Sequence, residues 1–114
     1  MTRGKVVLVP FPFDDLSASK VRPAICLTEP TSPHRHVVLA FITSKASNEL
    51  LDSDVVLSEQ HPNFTATGLR VSSTLRLHRL LTVTTSLIQR ELGQLPDVIQ
   101  NEVDEKIRTL FGLK

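Results

Sequence analysis

The stretch "SKVRPAICL", residues 19–27, places Arg22 and Pro23 at the mouth of an apolar run. Arginine is rarely buried without a partner, and Pro23 removes a backbone donor where a sheet ladder should begin. A guanidinium held there is a permanently charged planar fork suited to oxyanions. A second polar set stands on "SSTLRLHRLL", where Leu75 and Leu77 point one way while Ser72, Thr74, Arg76 and His78 point the other. His78 has the pKa class for proton transfer near neutrality, although a lone strand histidine is more commonly a surface or contact residue. "AFITSK" ends an apolar run on the hydroxyls of Thr43 and Ser44, which by themselves are ordinary turn formers. His34 and His36 flank Arg35 at metal-pair spacing, but no third ligand is placed nearby, so they read as loop residues and no metal site is expected.

The elements that position these groups are short. "GKVVLVPF" (4–11) reads as a buried strand, followed by the loop "PFPFDDLSASK", long enough to serve as a lid or binding loop. Asp14 and Asp15 in that loop read as a solvated turn, or as partners for Arg22. "RPAICLT" is a second strand, "HVVLAFIT" (36–43) a third that is apolar on both faces, and Val55 to Leu57 a brief fourth. The alternating segment around Arg76 is a further strand, and "SLIQRELGQL" another strand or turn. "PDVIQNEVDEKIRTLFGLK" closes as a helix: Pro96 opens it, Gly112 stops it, and Ile99, Val103, Ile107 and Phe111 recur every four residues. The expected fold is mainly β, one domain over residues 1–114: five or six strands in a partly open antiparallel barrel with a C-terminal helix.

Composition narrows the function classes. With 114 residues there is no room for a cofactor-sized second lobe, and no cofactor is expected. The single Cys26 permits neither a disulfide framework nor a cysteine-rich zinc site, and the apolar run before Pro10 is too short for a signal segment, so a reducing, cytoplasmic setting without a membrane partner is expected. The net charge of +1 conceals a polarity along the chain. From Gln60 to Arg90 there are four arginines, two histidines and no acid, whereas Glu91 to Glu105 holds five acids and no Arg or Lys. A polyanion could dock on the first segment, or the two segments could neutralise each other across the surface. With no Trp or Tyr, stacking on single-stranded bases would fall to five Phe, four His and the arginine planes.

"GKVVLVPFPFDDLSASKVRPAICLT", "HVVLAFITSK", "LRLHRLLTV" and "IQRELGQLPDVIQNEVDEKIRTLFGL" together resemble, in order and over nearly the full chain, a MazF/PemK-type toxin of a bacterial type II toxin-antitoxin pair. The "KVRPA" element is the most specific piece. The resemblance implies an SH3-like barrel, a homodimer, and a metal-independent endoribonuclease acting on single-stranded RNA. It also implies a small antitoxin whose extended segment occupies the RNA groove. Carried over, the motif arginine is Arg22, which would stabilise the phosphorane formed when a 2'-hydroxyl attacks phosphorus. Thr43 matches the hydroxyl that helps hold the scissile phosphate.

Lys20, Ser19, Ser44 and Thr74 fall at places suited to RNA contact. One departure stands out: in part of the family an arginine and an aspartate two residues apart stand on the fifth strand, the aspartate serving in proton transfer. Aligned on Arg79, those places hold Thr74 and Arg76, so the carboxylate is missing and His78 and Arg76 become further catalytic candidates. Two other readings stay open: a non-enzymatic toxin of the same barrel type that binds DNA gyrase, and a degenerate module that binds RNA and antitoxin without cleavage.

Overall fold

The computed structural model describes residues 3–11, 20–44 and 49–113. Six strands are built from the apolar runs: β1 (Lys5–Phe11), β2 (Lys20–Cys26), β3 (His36–Thr43), β4 (Asp54–Leu57), β5 (Ser73–Thr84) and β6 (Arg90–Gln94). They pair antiparallel in the order β4-β5-β3-β2-β1-β6, forming one curled half-barrel. Helix α1 (Asp97–Leu110) follows β6. This is the mainly β, partly open barrel with a C-terminal helix that the sequence implies.

The sheet is apolar on both faces, which divides the core. Val6, Ile25, Ala40, Ile42, Val55, Leu75 and Leu77 face α1 and pack with its Ile99 and Val103. Val7, Val9, Ala24, Cys26, Leu39, Phe41 and Val83 form a second cluster on the opposite face. The continuous run of β3 serves both, with even-numbered residues to the helix side and odd-numbered ones away from it. Cys26 lies fully buried in the second cluster, where burial pushes its thiol from 9.0 to about 11. That thiol is therefore protonated and inert near neutrality.

Helix α1 begins at Pro96, whose carbonyl accepts the Gln100 N–H at 2.9 Å. It ends where Gly112, at φ 70°, lets its own N–H reach the Thr109 carbonyl and the Leu113 N–H reach the Arg108 carbonyl. Those bonds satisfy two carbonyls that the end of the helix would otherwise leave open. Phe111 differs from its expected place on the buried stripe: it lies past the last helical residue and is 56% exposed. Ile99 and Val103 anchor the helix, and Ile107, partly buried, packs against the same core cluster.

Two irregularities of the sheet govern where its charged side chains stand. Pro23 lies inside β2, opposite Leu8 of β1, whereas the ladder between β2 and β3 starts one residue later at Ala24. The proline thus sits where β2 has a free edge on the β3 side, so its missing N–H interrupts no β2–β3 bond. On β5, Arg76 pairs with Phe41 and Leu80 with the adjacent Ala40, which leaves residues 77–79 as a bulge. A bulge breaks the in-out alternation of a strand and re-aims its side chains.

Candidate functional site

Register brings Arg22 and Thr43 to one place. Ala24 pairs with Phe41, and continuing that antiparallel register by two residues sets Arg22 across from Thr43, beyond the point where the ladder opens. Both share the face of Ala24 and Phe41, away from α1. Arg22 turns its guanidinium over the Phe41 ring, with its carbon 5.6 Å from the ring centroid.

A second guanidinium meets the same ring. Arg79 stands 4.9 Å from the Phe41 centroid. Simple alternation along β5 would put Arg79 on the side of Leu75 and Leu77, and the bulge reverses this. Leu77 is fully buried with the helix-side core, and Leu80 is again aligned with Ala40 on that side. His78 and Arg79 in between are both exposed and turn to the other face. Phe41, itself 6% exposed, thus becomes a platform carrying cations from β2 and β5. The sequence pattern gives neither Phe41 nor Arg79 a site role; a displaced strand register is not legible in a period-two pattern.

The carboxylate absent from β5 has a counterpart one strand over. Asp54 opposes Arg76 across the β4–β5 ladder, with its side chain wholly buried. Its Oδ1 lies 3.0 Å from Arg76 Nε and 4.0 Å from His78 Nδ1. The Arg76 contact is an ion pair without the alignment of a hydrogen bond, so among the described residues both of these buried atoms lack a hydrogen-bond partner. Oδ2 accepts the Leu51 N–H at 2.9 Å, and Lys106 of α1 donates to the Asp54 main-chain carbonyl at 2.7 Å. The carboxylate is therefore pinned from its own turn, while its strand is pinned from the helix. The sequence reading places the start of β4 at Val55 and passes over Asp54 as part of a connecting loop.

The other expected positions are spread out. Lys20 opens β2, its side chain lying outside what is described. Ser19, Asp14 and Asp15 fall outside the described residues. Thr74 pairs with Thr43 on one side and Val56 on the other, and at 8% exposure its hydroxyl is largely covered. Ser44 departs from the arginine face and lines a separate cleft with Pro23, Arg70, Ser73 and Arg90. The arginines of the basic segment are thus divided between two places. His34 and His36 stack on each other with centroids 5.5 Å apart, and His36 belongs to β3 instead of a loop. Among the described residues no three His, Cys, Asp or Glu side chains gather as a metal-binding group. No helix among them is long and apolar enough to cross a membrane.

Charge is sorted by the sheet. Two of the four acids of α1 are paired on the helix side: Asp104 with Arg3 at 2.8 Å and Glu102 with Lys106 at 3.1 Å. On the far face Arg76 and His78 flank the buried Asp54 carboxylate, while Arg22 and Arg79 gather on the Phe41 ring. A groove of about 510 Å³ lies elsewhere, between α1 and the sheet, and is lined chiefly by apolar residues such as Leu27, Val38, Leu80 and Ile107. Converging charged donors make the open arginine face, and not this groove, the candidate site.

Comparison with known proteins agrees on the fold. A Mycobacterium tuberculosis toxin, MazF-mt6, superposes with a TM-score of 0.73 at 19% identity, covering 96% of this chain and 98% of its own. A mycobacterial endoribonuclease solved in complex with its cognate antitoxin gives 0.75 at 14% identity, with 100% and 97% covered. MazF of the MazE-MazF complex from Deinococcus radiodurans gives 0.70 at 19%, with 100% and 98% covered. Comparison with curated protein sequences yields no significant match. The sequence model of the PemK-like, MazF-like toxins matches residues 2–111, nearly the whole chain, and this protein therefore belongs to that family of toxins of type II toxin-antitoxin systems.

Proposed function

We propose that this toxin is a metal-independent endoribonuclease that cleaves single-stranded RNA in the cytoplasm. The observation that carries the reading is the convergence of Arg22 and Arg79 on Phe41, with Thr43 two residues along β3 from that ring on the same face. A 2'-hydroxyl attacking the adjacent phosphorus closes a 2',3'-cyclic phosphate and expels the 5'-oxygen of the next nucleotide. The phosphorane between these states carries more negative charge than the ground state. Two guanidiniums held by an aromatic ring answer that charge without reorganising at the moment of reaction. Thr43 holds a phosphate oxygen from the neighbouring strand. Proton transfer from the 2'-hydroxyl falls to a residue of the β5 bulge, where His78 is the exposed candidate.

The mycobacterial and Deinococcus neighbours captured with antitoxins support a matching partner here. An acidic, extended antitoxin segment would compete with RNA for the same cations. A homodimer follows from size, because one barrel of this length offers little surface to grip several nucleotides and a peptide together.

The deciding experiment incubates the purified chain with a long single-stranded RNA in EDTA. Expected are cleavage, a 5'-hydroxyl on the downstream fragment, and protection when the nucleotide 5' of the cut is deoxy. An EDTA-sensitive cut leaving a 5'-phosphate overturns the mechanism. Loss of gyrase supercoiling with intact RNA instead assigns the protein to the gyrase-binding class, and binding without cleavage to the degenerate one.

A further inference from the structure

We propose that Asp54 is a positioning residue of this site, holding the His78 imidazole as the Nδ1–H tautomer so that Nε2 faces the RNA. The inference rests on the ribonuclease reading for its kinetic consequence, but its structural half does not. Asp54 Oδ1 is a buried acceptor without a hydrogen-bond partner among the described residues, and His78 Nδ1 stands 4.0 Å from it. That separation is longer than a hydrogen bond, as it commonly is before substrate tightens a site, and a modest turn of the imidazole closes it. The carboxylate cannot move to meet it. Its Oδ2 is tied to the Leu51 N–H, Arg76 Nε sits 3.0 Å from Oδ1, and Lys106 ties its main-chain carbonyl to α1.

Only one ring nitrogen of a neutral histidine carries the proton, and the partner of the other decides which. A carboxylate facing Nδ1 selects Nδ1–H and leaves Nε2 as a free acceptor. Asp54 itself is sealed from solvent and touches no substrate, whereas the His78 side chain is 34% exposed. The bulge sets His78 beside Arg79, which shares Phe41 with Arg22. Nε2 is thus the end of the ring available to take a proton from the attacking 2'-hydroxyl. The O–H bond breaks, Nε2–H forms, and that proton can return to the departing 5'-oxygen. Among the described residues, the charged groups recorded around this contact are Asp54 of β4, which faces the imidazole, and Arg76, which shares the same Asp54 oxygen.

The test has two arms. In the first, ring ¹⁵N chemical shifts of histidine-labelled native protein, under alkaline conditions where imidazole is neutral, should report Nδ1–H at His78 and a switch toward Nε2–H in Asp54→Asn. Nε2–H in the native protein overturns the proposal, whether or not the protein cleaves RNA and whether or not the variant folds. In the second, Asp54→Asn and His78→Gln should each slow cleavage at saturating RNA by about a hundredfold with RNA affinity nearly unchanged, and the double variant should be no slower than the worse single one. Multiplicative losses, or a variant whose only defect is a lower melting temperature, overturn it. If the native protein cleaves nothing, the ribonuclease reading fails while the first arm still decides whether Asp54 orients His78.

Discussion

The two ends of the cationic face are built differently. Arg22 and Thr43 stand on β2 and β3, on the straight continuation of a regular register past its last pair, Ala24 and Phe41. Arg76, His78 and Arg79 stand on β5 around a three-residue slip, and their carboxylate arrives from β4. The first end is simple and open, with Pro23 at the free edge. The second is dense, with a charge sealed beneath it. A regular ladder places donors by period alone, whereas a bulge lets consecutive residues serve one face and makes their arrangement depend on a neighbouring strand.

The comparison predicts unequal consequences of substitution. Arg22→Ala should lower the cleavage rate by about a hundredfold or more while RNA affinity changes far less, as expected for a donor engaged mainly in the transition state. Single-turnover kinetics would check it, and full activity in that variant would remove the β2 end from the chemistry. The dense end should be the more costly one for folding. Asp54→Ala leaves a partly buried Arg76 without its partner and should cost about 3 kcal/mol in urea unfolding. Asp104→Ala breaks the exposed pair with Arg3 and should cost less than about 1 kcal/mol. Similar values for the two would mean that burial of the Asp54 carboxylate does not matter.

Phe41→Leu tests what joins the two ends. It keeps an apolar side chain in the second core cluster but removes the ring under both guanidiniums, and should weaken RNA binding by about tenfold through lost cation–π support. An unchanged dissociation constant would make the ring only a packing residue. The smallest effect is in salt dependence. Native protein should lose RNA affinity with salt more steeply than Arg79→Ala, by about 0.7 in the log–log slope for one phosphate contact. The change for Arg76→Ala should be smaller, since Asp54 already balances part of its charge. Equal slopes for native protein and Arg76→Ala would move Arg76 out of the groove.

Much of the molecule is dictated by local chemistry. The doubly apolar run of β3 requires a sheet covered on both sides, and its limits, His36–Thr43, are those read from the sequence. Pro96 and Gly112 bracket α1 because a ring without an N–H and a residue tolerant of positive φ act within a single turn. Arg22 is conspicuous in the sequence because an arginine and a proline before an apolar run conflict with burial whatever surrounds them. Other features depend on pairing between distant segments. Asp54 reads as one more acid beside a turn until β4 lies against β5 and seals it opposite Arg76. Arg79 has core parity in the sequence and reaches the cationic face only through the slip between Ala40 and Phe41. A period of two assigns a residue to a face only while the register holds. Where it breaks, the contacts made by the partner strand decide, and those are set by the tertiary fold.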